Sequence, residues 1–161
     1  MMLVLAFLLV GCGAVSDYET VLDVYNEQPI PAPRDLSVLL PGGETVVTME
    51  SGVHDSLWMG DDFTACVQTL SSGDLEQTIC TVTGLKTEDL TLIHRQQDEL
   101  HRYECVWVSA GEGGDQLNRA VILDDGSYCY VLSLHAAAEK TGDLSPVWEN
   151  VVDSVSLSIV P

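Results

Sequence analysis

Asp125-Gly126, set between two alternating apolar stretches, constrains this chain more than any other feature. Asp-Gly supplies the left-handed backbone that a tight hairpin needs, and the flanking Val, Ile, Leu and Tyr residues suit a pleated surface. Residues 117–123 and 128–134 therefore read as paired antiparallel strands. A two-residue loop would set Leu123 opposite Tyr128 and Val121 opposite Tyr130. Val121, Leu123, Tyr128, Tyr130, Leu132 and Leu134 then share one face, and that face must find cover.

Other segments read as partners for this hairpin. Residues 36–40 form a strand that ends at the turn Pro41-Gly42-Gly43, and residues 45–49 form a second. Residues 54–59 and 63–70 flank Gly60-Asp61-Asp62 as a hairpin. In residues 74–84, Asp74 stands as a helix cap, Gln77 as its capping-box partner, and Gly84 as a stop. Leu75, Ile79 and Val82 share a helical face, although Thr78, Thr81 and Thr83 also suit a strand; helix is the preferred reading. Residues 90–94 and 103–109 flank the polar turn 96–99, and residues 111–115 form a glycine-rich loop. Ser145-Pro146 marks a helix start, Val147, Trp148, Val151 and Val152 supply its apolar stripe, and Val155, Leu157 and Ile159 close the chain as a strand. The order predicts an α+β fold: a single twisted antiparallel sheet with about two packed helices, spanning residues 36–161.

The N-terminus has a different character. Residues 3–10 are continuously apolar, which is too short for a membrane-spanning helix but suits the core of a signal peptide. The run ends in Leu9-Val10-Gly11-Cys12, which resembles the lipobox of bacterial lipoproteins. That resemblance implies that residues 1–11 are a signal peptide, that Cys12 carries the lipid, and that the mature chain sits on the extracytoplasmic face of the cell membrane. The usual early Lys or Arg is missing from residues 1–10. Residues 12–35 read as a tether, with alternating Pro29, Pro31 and Pro33 favouring an extended chain and Ser16 and Glu19 opening a short helix.

The closing stretch YCYVLSLHAAAEKTGDLSPVWENVVDSVSL resembles the end of PsbP/Mog1-like α/β/α sandwich domains, in which an aromatic strand precedes a Trp-bearing helix and a short last strand. The likeness extends over residues 86–159 and more loosely over 36–85. The whole chain also resembles small uncharacterised lipoproteins of Gram-positive bacteria. Neither resemblance implies a catalytic motif or a cofactor.

Charge narrows the partners. The chain has 6 Lys and Arg against 25 Asp and Glu, a formal charge of −19. Such a surface repels nucleic acid and anionic lipid, so contact with the membrane is expected only through the covalent lipid at Cys12. Solubility is the ordinary role of such acidity, and cation capture is a weaker alternative.

Beyond Cys12 there are four cysteines, Cys66, Cys80, Cys105 and Cys129, which allow three pairings. A meander leaves one strand between Cys105 and Cys129, roughly 10 Å apart and beyond a disulfide's reach. Cys66 with Cys80 is the easier candidate link, and four thiols acting as small hydrophobes are an equal alternative. No cysteine pair or histidine shows a recognised zinc spacing, so no metal ligand is assigned. His94 and His101 flank the 96–99 turn and are placed to face each other across a hairpin; solvated strand-end histidines are the ordinary reading. Asp61-Asp62 and Asp124-Asp125 read as turn residues. No nucleophile or phosphate-binding motif occurs, so no catalytic residue is assigned. Trp148 belongs in the core, Trp107 is covered if helices lie on both faces, and Trp58 is the candidate exposed binding aromatic. The expectation is a non-catalytic binding or structural module facing an extracytoplasmic protein or ligand. A small cell-surface hydrolase using Asp, Glu or His is the alternative.

Overall fold

The computed structural model describes residues 31–42, 45–47, 56–111 and 113–158. The expected signal peptide at 1–11, Cys12, the expected tether up to residue 30, and residues 48, 49, 54, 55 and 159 of the expected strands lie outside the described residues. The described part is α+β and antiparallel throughout, with two α-helices. Six strands form the main sheet in the order β3-β4-β8-β7-β6-β5. They are β3 (Ser56–Met59), β4 (Thr64–Ser71), β5 (Thr91–Gln97), β6 (Leu100–Gly111), β7 (Gly114–Asp124) and β8 (Tyr128–Ala137). The first two strands and the last do not join it: β1 (Leu36–Leu39), β2 (Thr45–Val47) and β9 (Ser156–Leu157) form a small sheet ordered β2-β1-β9. Among the described residues no helix is long and apolar enough to cross a membrane.

Side-chain alternation gives the main sheet two apolar faces. One carries Ala65, Val67, Val121, Leu123, Tyr130, Leu132 and Leu134, and β1 packs on it with α2 (Thr141–Asp153) through Leu36, Val38, Leu144, Trp148, Val151 and Val152. The other carries Ile122, Cys129 and Val131 under Ile79 of α1 (Leu75–Thr83). Burying each large apolar side chain is worth about 1.5–3 kcal/mol, so these two contacts hold the layers together. Trp148 and Trp107 are both buried, Trp148 edge-on to Phe63 with ring centres 6.0 Å apart.

The central hairpin forms with the expected faces but a different register. Leu123 pairs with Tyr130 and Val121 with Leu132, so the loop is two residues wider on the β8 side than the Asp-Gly signal predicts. The cause is the pair of aspartates. Asp124 Oδ1 accepts the Gly126 N–H at 2.9 Å, and Asp125 Oδ1 accepts those of Ser127 and Tyr128 at 3.0 and 2.9 Å. These carboxylates satisfy turn donors that a tighter loop would hand to the ladder. A shift of two residues preserves which face each side chain occupies, so the core survives the change.

α1 follows its sequence signals: Asp74 Oδ1 caps the Glu76 N–H at 3.0 Å, and Gly84 ends the helix at φ 72°. α2 does not begin at Ser145-Pro146. It begins at Thr141, continuing a 3-10 turn over Ala138–Lys140, and Pro146 lies inside it. The proline removes one N–H, whose acceptor would be Gly142, and a residue without a side chain eases the crowding there. α2 and β1 also cover only part of their face: Val106 and Val108 on β6 remain 50% and 57% exposed.

Candidate functional site

A cleft of about 1530 Å³ opens between residues 31–35, β9 and the tip of the β5–β6 hairpin. Backbone pairing builds its wall. Ser158 N–H donates to Asp35 O at 2.8 Å, and Arg34 Nε donates to Ser158 O at 2.8 Å. The Tyr130 hydroxyl accepts the Arg34 N–H at 2.8 Å and donates to Asp125 Oδ2 at 3.1 Å, tying the wall to the central hairpin. The Tyr130 ring is fully buried, and burial pushes its phenol up to about 12.

The opposite wall rests on an arginine–glutamate cluster. The two-residue loop Asp98-Glu99, with Asp98 at φ 55°, fixes the β5–β6 register and sets Arg95 directly opposite Arg102. Like charges in that position repel unless a counter-charge is near. Glu104 supplies it. Arg102 Nε donates to Glu104 Oε1 at 2.9 Å, Arg119 Nη2 donates to Oε2 at 3.2 Å, and Arg95 Nη1 stands 3.9 Å from Oε1. Burial alone would raise the Glu104 pKa, but the hydrogen bonds from Arg102 and Arg119 outweigh it and hold the carboxyl below its ordinary 4.5. Arg102 Nη2 also reaches Val152 O at 2.8 Å, placing positive charge at the C-terminal end of α2, where the helix dipole favours it.

The cleft thus gathers Arg34, Arg95 and Arg102, three of the six basic residues, with Asp35, Asp98, Glu99, Asp125 and Asp153 around them. Two of these guanidiniums are held in place by neighbours, Arg102 by Glu104 and Arg34 by the Ser158 carbonyl. Arg95, with its side chain 67% exposed, offers the guanidinium most open to a partner.

The residues singled out in the sequence fall elsewhere. Trp58 is half-buried rather than exposed, its ring 4.9 Å from that of Phe63, and it borders a second, shallower hollow with Pro41 and Leu144. No disulfide joins the four described cysteines: Cys66 lies on β4, Cys80 faces solvent on α1, and Cys105 and Cys129 are buried on β6 and β8 with β7 between them. Burial pushes the Cys105 thiol up to about 11. Asp62 pairs with Lys140 at the surface. His94 and His101 do meet across their hairpin, with Nε2 and Nδ1 3.1 Å apart. Sequence reasoning missed the arginine cluster. Its signal was present: a hairpin centred on Asp98-Glu99 sets Arg95 against Arg102 by counting outwards, and Glu104 is the nearest acid on the same strand face.

No family model and no curated protein matches the chain. Among solved structures it is similar to PA94, a Pseudomonas aeruginosa protein of unknown function, at 11% identity and a TM-score of 0.49, over 78% of this chain and 96% of that one. It is also similar to cyanobacterial PsbP (CyanoP) from Synechocystis sp. PCC 6803, at 11% identity and a TM-score of 0.47, over 77% of this chain and 93% of that one.

Proposed function

We propose that this chain is a lipid-anchored, extracytoplasmic binding module that engages a protein partner through the cleft beside the β5–β6 hairpin. The observation that carries the reading is the gathering of half the basic residues of a strongly acidic chain along one opening. Scattered basic residues would serve solubility equally well; guanidiniums concentrated at a concave surface serve recognition of carboxylate-bearing partners. β5 supports the same reading. It is an edge strand whose only described neighbour is β6, and it borders the cleft through Arg95, Gln96 and Gln97, so an extended partner segment has backbone groups to pair with. The lipid at Cys12 would keep this surface at the membrane without help from headgroup charge.

The hydrolase alternative gains no support from the two buried titratable groups behind the cleft. Glu104 is committed to two arginines, and Tyr130 keeps its proton.

The test is photo-crosslinking in intact cells from a probe placed at Gln97, compared with one at Lys86 outside the cleft. A discrete protein adduct from Gln97, lost on Arg95→Glu, is the expected result. Equal labelling from both positions would sink the cleft as the binding surface. Intact mass of the native chain tests the anchor separately: a chain that keeps residues 1–11 and carries no acyl group is not membrane-tethered through Cys12.

A further inference from the structure

On the face of the main sheet opposite the cleft, His94 of β5 and His101 of β6 form a built pair. In the ladder His94 pairs with Tyr103 and Gln96 with His101, so the two histidines are diagonal neighbours on hydrogen-bonded strands. His94 Nε2 and His101 Nδ1 are 3.1 Å apart, the ring planes differ by 11°, and the ring centres are 5.3 Å apart. The rings therefore meet nitrogen to nitrogen within hydrogen-bond distance. Tyr103 lies flat against His94, with ring centres 4.6 Å apart and planes 13° apart.

We propose that His94 and His101 form a two-imidazole chelate for a divalent transition metal of the Ni2+, Cu2+ and Zn2+ class. Three observations support it. First, the spacing fits. Metal–imidazole bonds of about 2.0–2.1 Å span two nitrogens this far apart at roughly 100°, between the square-planar and tetrahedral angles. Second, both ligands stand on paired strands of one hairpin, so the backbone register that brings them together is fixed before the metal arrives, and only the rings must turn. Third, the charge favours a cation. Asp124, the cross-strand neighbour of His101 on β7, is anionic, and the whole chain carries −19.

Binding needs one rearrangement. The two rings turn about χ2, a soft torsion, until both lone pairs aim at a common point outside the sheet. A neutral ring that carries its proton on the facing nitrogen moves it to its far nitrogen, so each ligand presents a lone pair to the metal. Water completes the coordination shell. Among the described residues no three His, Cys, Asp or Glu side chains converge as ligands, so the chain contributes a bidentate site, open to solvent or to a further ligand.

The test is calorimetric titration of the untagged chain with Ni2+. We expect one equivalent bound, with affinity falling on the order of tenfold or more in both His94→Gln and His101→Gln as a chelate becomes a single ligand. Cys80→Ser, which removes an exposed thiol, should leave it unchanged. Cu2+ electron paramagnetic resonance on the unmodified chain counts the nitrogens directly and depends on no variant's folding; two are expected. Fewer than two nitrogens overturns the proposal. So does Ni2+ affinity that survives both histidine substitutions, which would assign the metal to the acidic surface.

Discussion

The Tyr130 hydroxyl donates to Asp125 Oδ2 at 3.1 Å while it accepts the backbone N–H of Arg34 at 2.8 Å. One oxygen thus links the start of the compact unit to the turn of the central hairpin, 96 residues apart in the case of Arg34. Tyr130→Phe keeps the buried ring and removes only this link. Urea denaturation should show a loss of about 1–2 kcal/mol, the value of the hydrogen bonds less what water restores. In the parent protein, spectrophotometric titration should find this phenol ionising only near 12, because burial opposes the phenolate. Unchanged stability in Tyr130→Phe would mean that residues 34 and 35 are held by Ser158 alone.

Glu104 is the most exacting position in the cluster. Its side chain is 8% exposed and is bracketed by Arg102 and Arg119. Glu104→Ala strands two half-buried guanidiniums, and the expected cost is about 3 kcal/mol. Glu104→Gln keeps the shape and one acceptor and should cost less. Because the folded-state pKa lies below the ordinary value, the carboxylate's contribution is present above pH 4.5 and is lost as pH falls through the lowered value. Acid denaturation curves of parent and Glu104→Gln should therefore converge at low pH. A constant offset at every pH would show that packing, not charge, is at stake.

Much of the fold was legible because its signals are local. The Asp74 cap and the Gly84 stop delimit α1 in a segment whose threonines also suit a strand. Alternation put Val121, Leu123, Tyr130, Leu132 and Leu134 on one buried face despite the shifted register. What failed was decided by distant contacts or by competing side chains. Asp124 and Asp125 take turn donors that Asp-Gly alone would leave to the ladder. Leu144 reaches the core, so α2 starts before its proline. Residues 36–39 and 45–47 pair locally, but the addition of 156–157 to their small sheet joins strands more than 100 residues apart in sequence, and no local pattern encodes it. The cleft was hidden for the same reason: Arg34 and Arg102 come to line one opening only once β9 has docked.

Gly60 carries a constraint that its turn position disguises. A Cβ there would lie 2.2 Å from the Trp58 ring, which folds back over it. Gly60→Ala must push the indole away from Phe63. Trp58 is at the edge of the core, so the expected cost is about 1 kcal/mol rather than a collapse. Tryptophan emission should shift to the red as the ring enters water, with Trp107 and Trp148, both buried, as the unchanged background. Emission that does not move would place Trp58 elsewhere than over this glycine.

His135 should give the protein a dependence on pH near neutrality. Its Nδ1 lies 2.7 Å from Asn118 Oδ1. The Asn118 amide is oriented by Ser109 Oγ and two carbonyls that accept from its Nδ2, so Oδ1 faces the imidazole and Nδ1 carries the donated proton. Burial lowers the His135 pKa below the ordinary 6.5, because a charged ring would be poorly solvated there. In that window the unfolded chain takes up a proton that the folded chain refuses. Stability is therefore full above about pH 6.5 and declines as pH falls towards the lowered folded value, by at most about 1.4 kcal/mol per pH unit. His135→Gln, which retains a donor for Asn118, should remove that slope when denaturation midpoints of variant and parent are compared from pH 8 down to pH 5, as approximate limits chosen around the ordinary histidine range. Parallel midpoints across the range would mean that His135 takes up its proton as readily in the folded protein as in the unfolded chain.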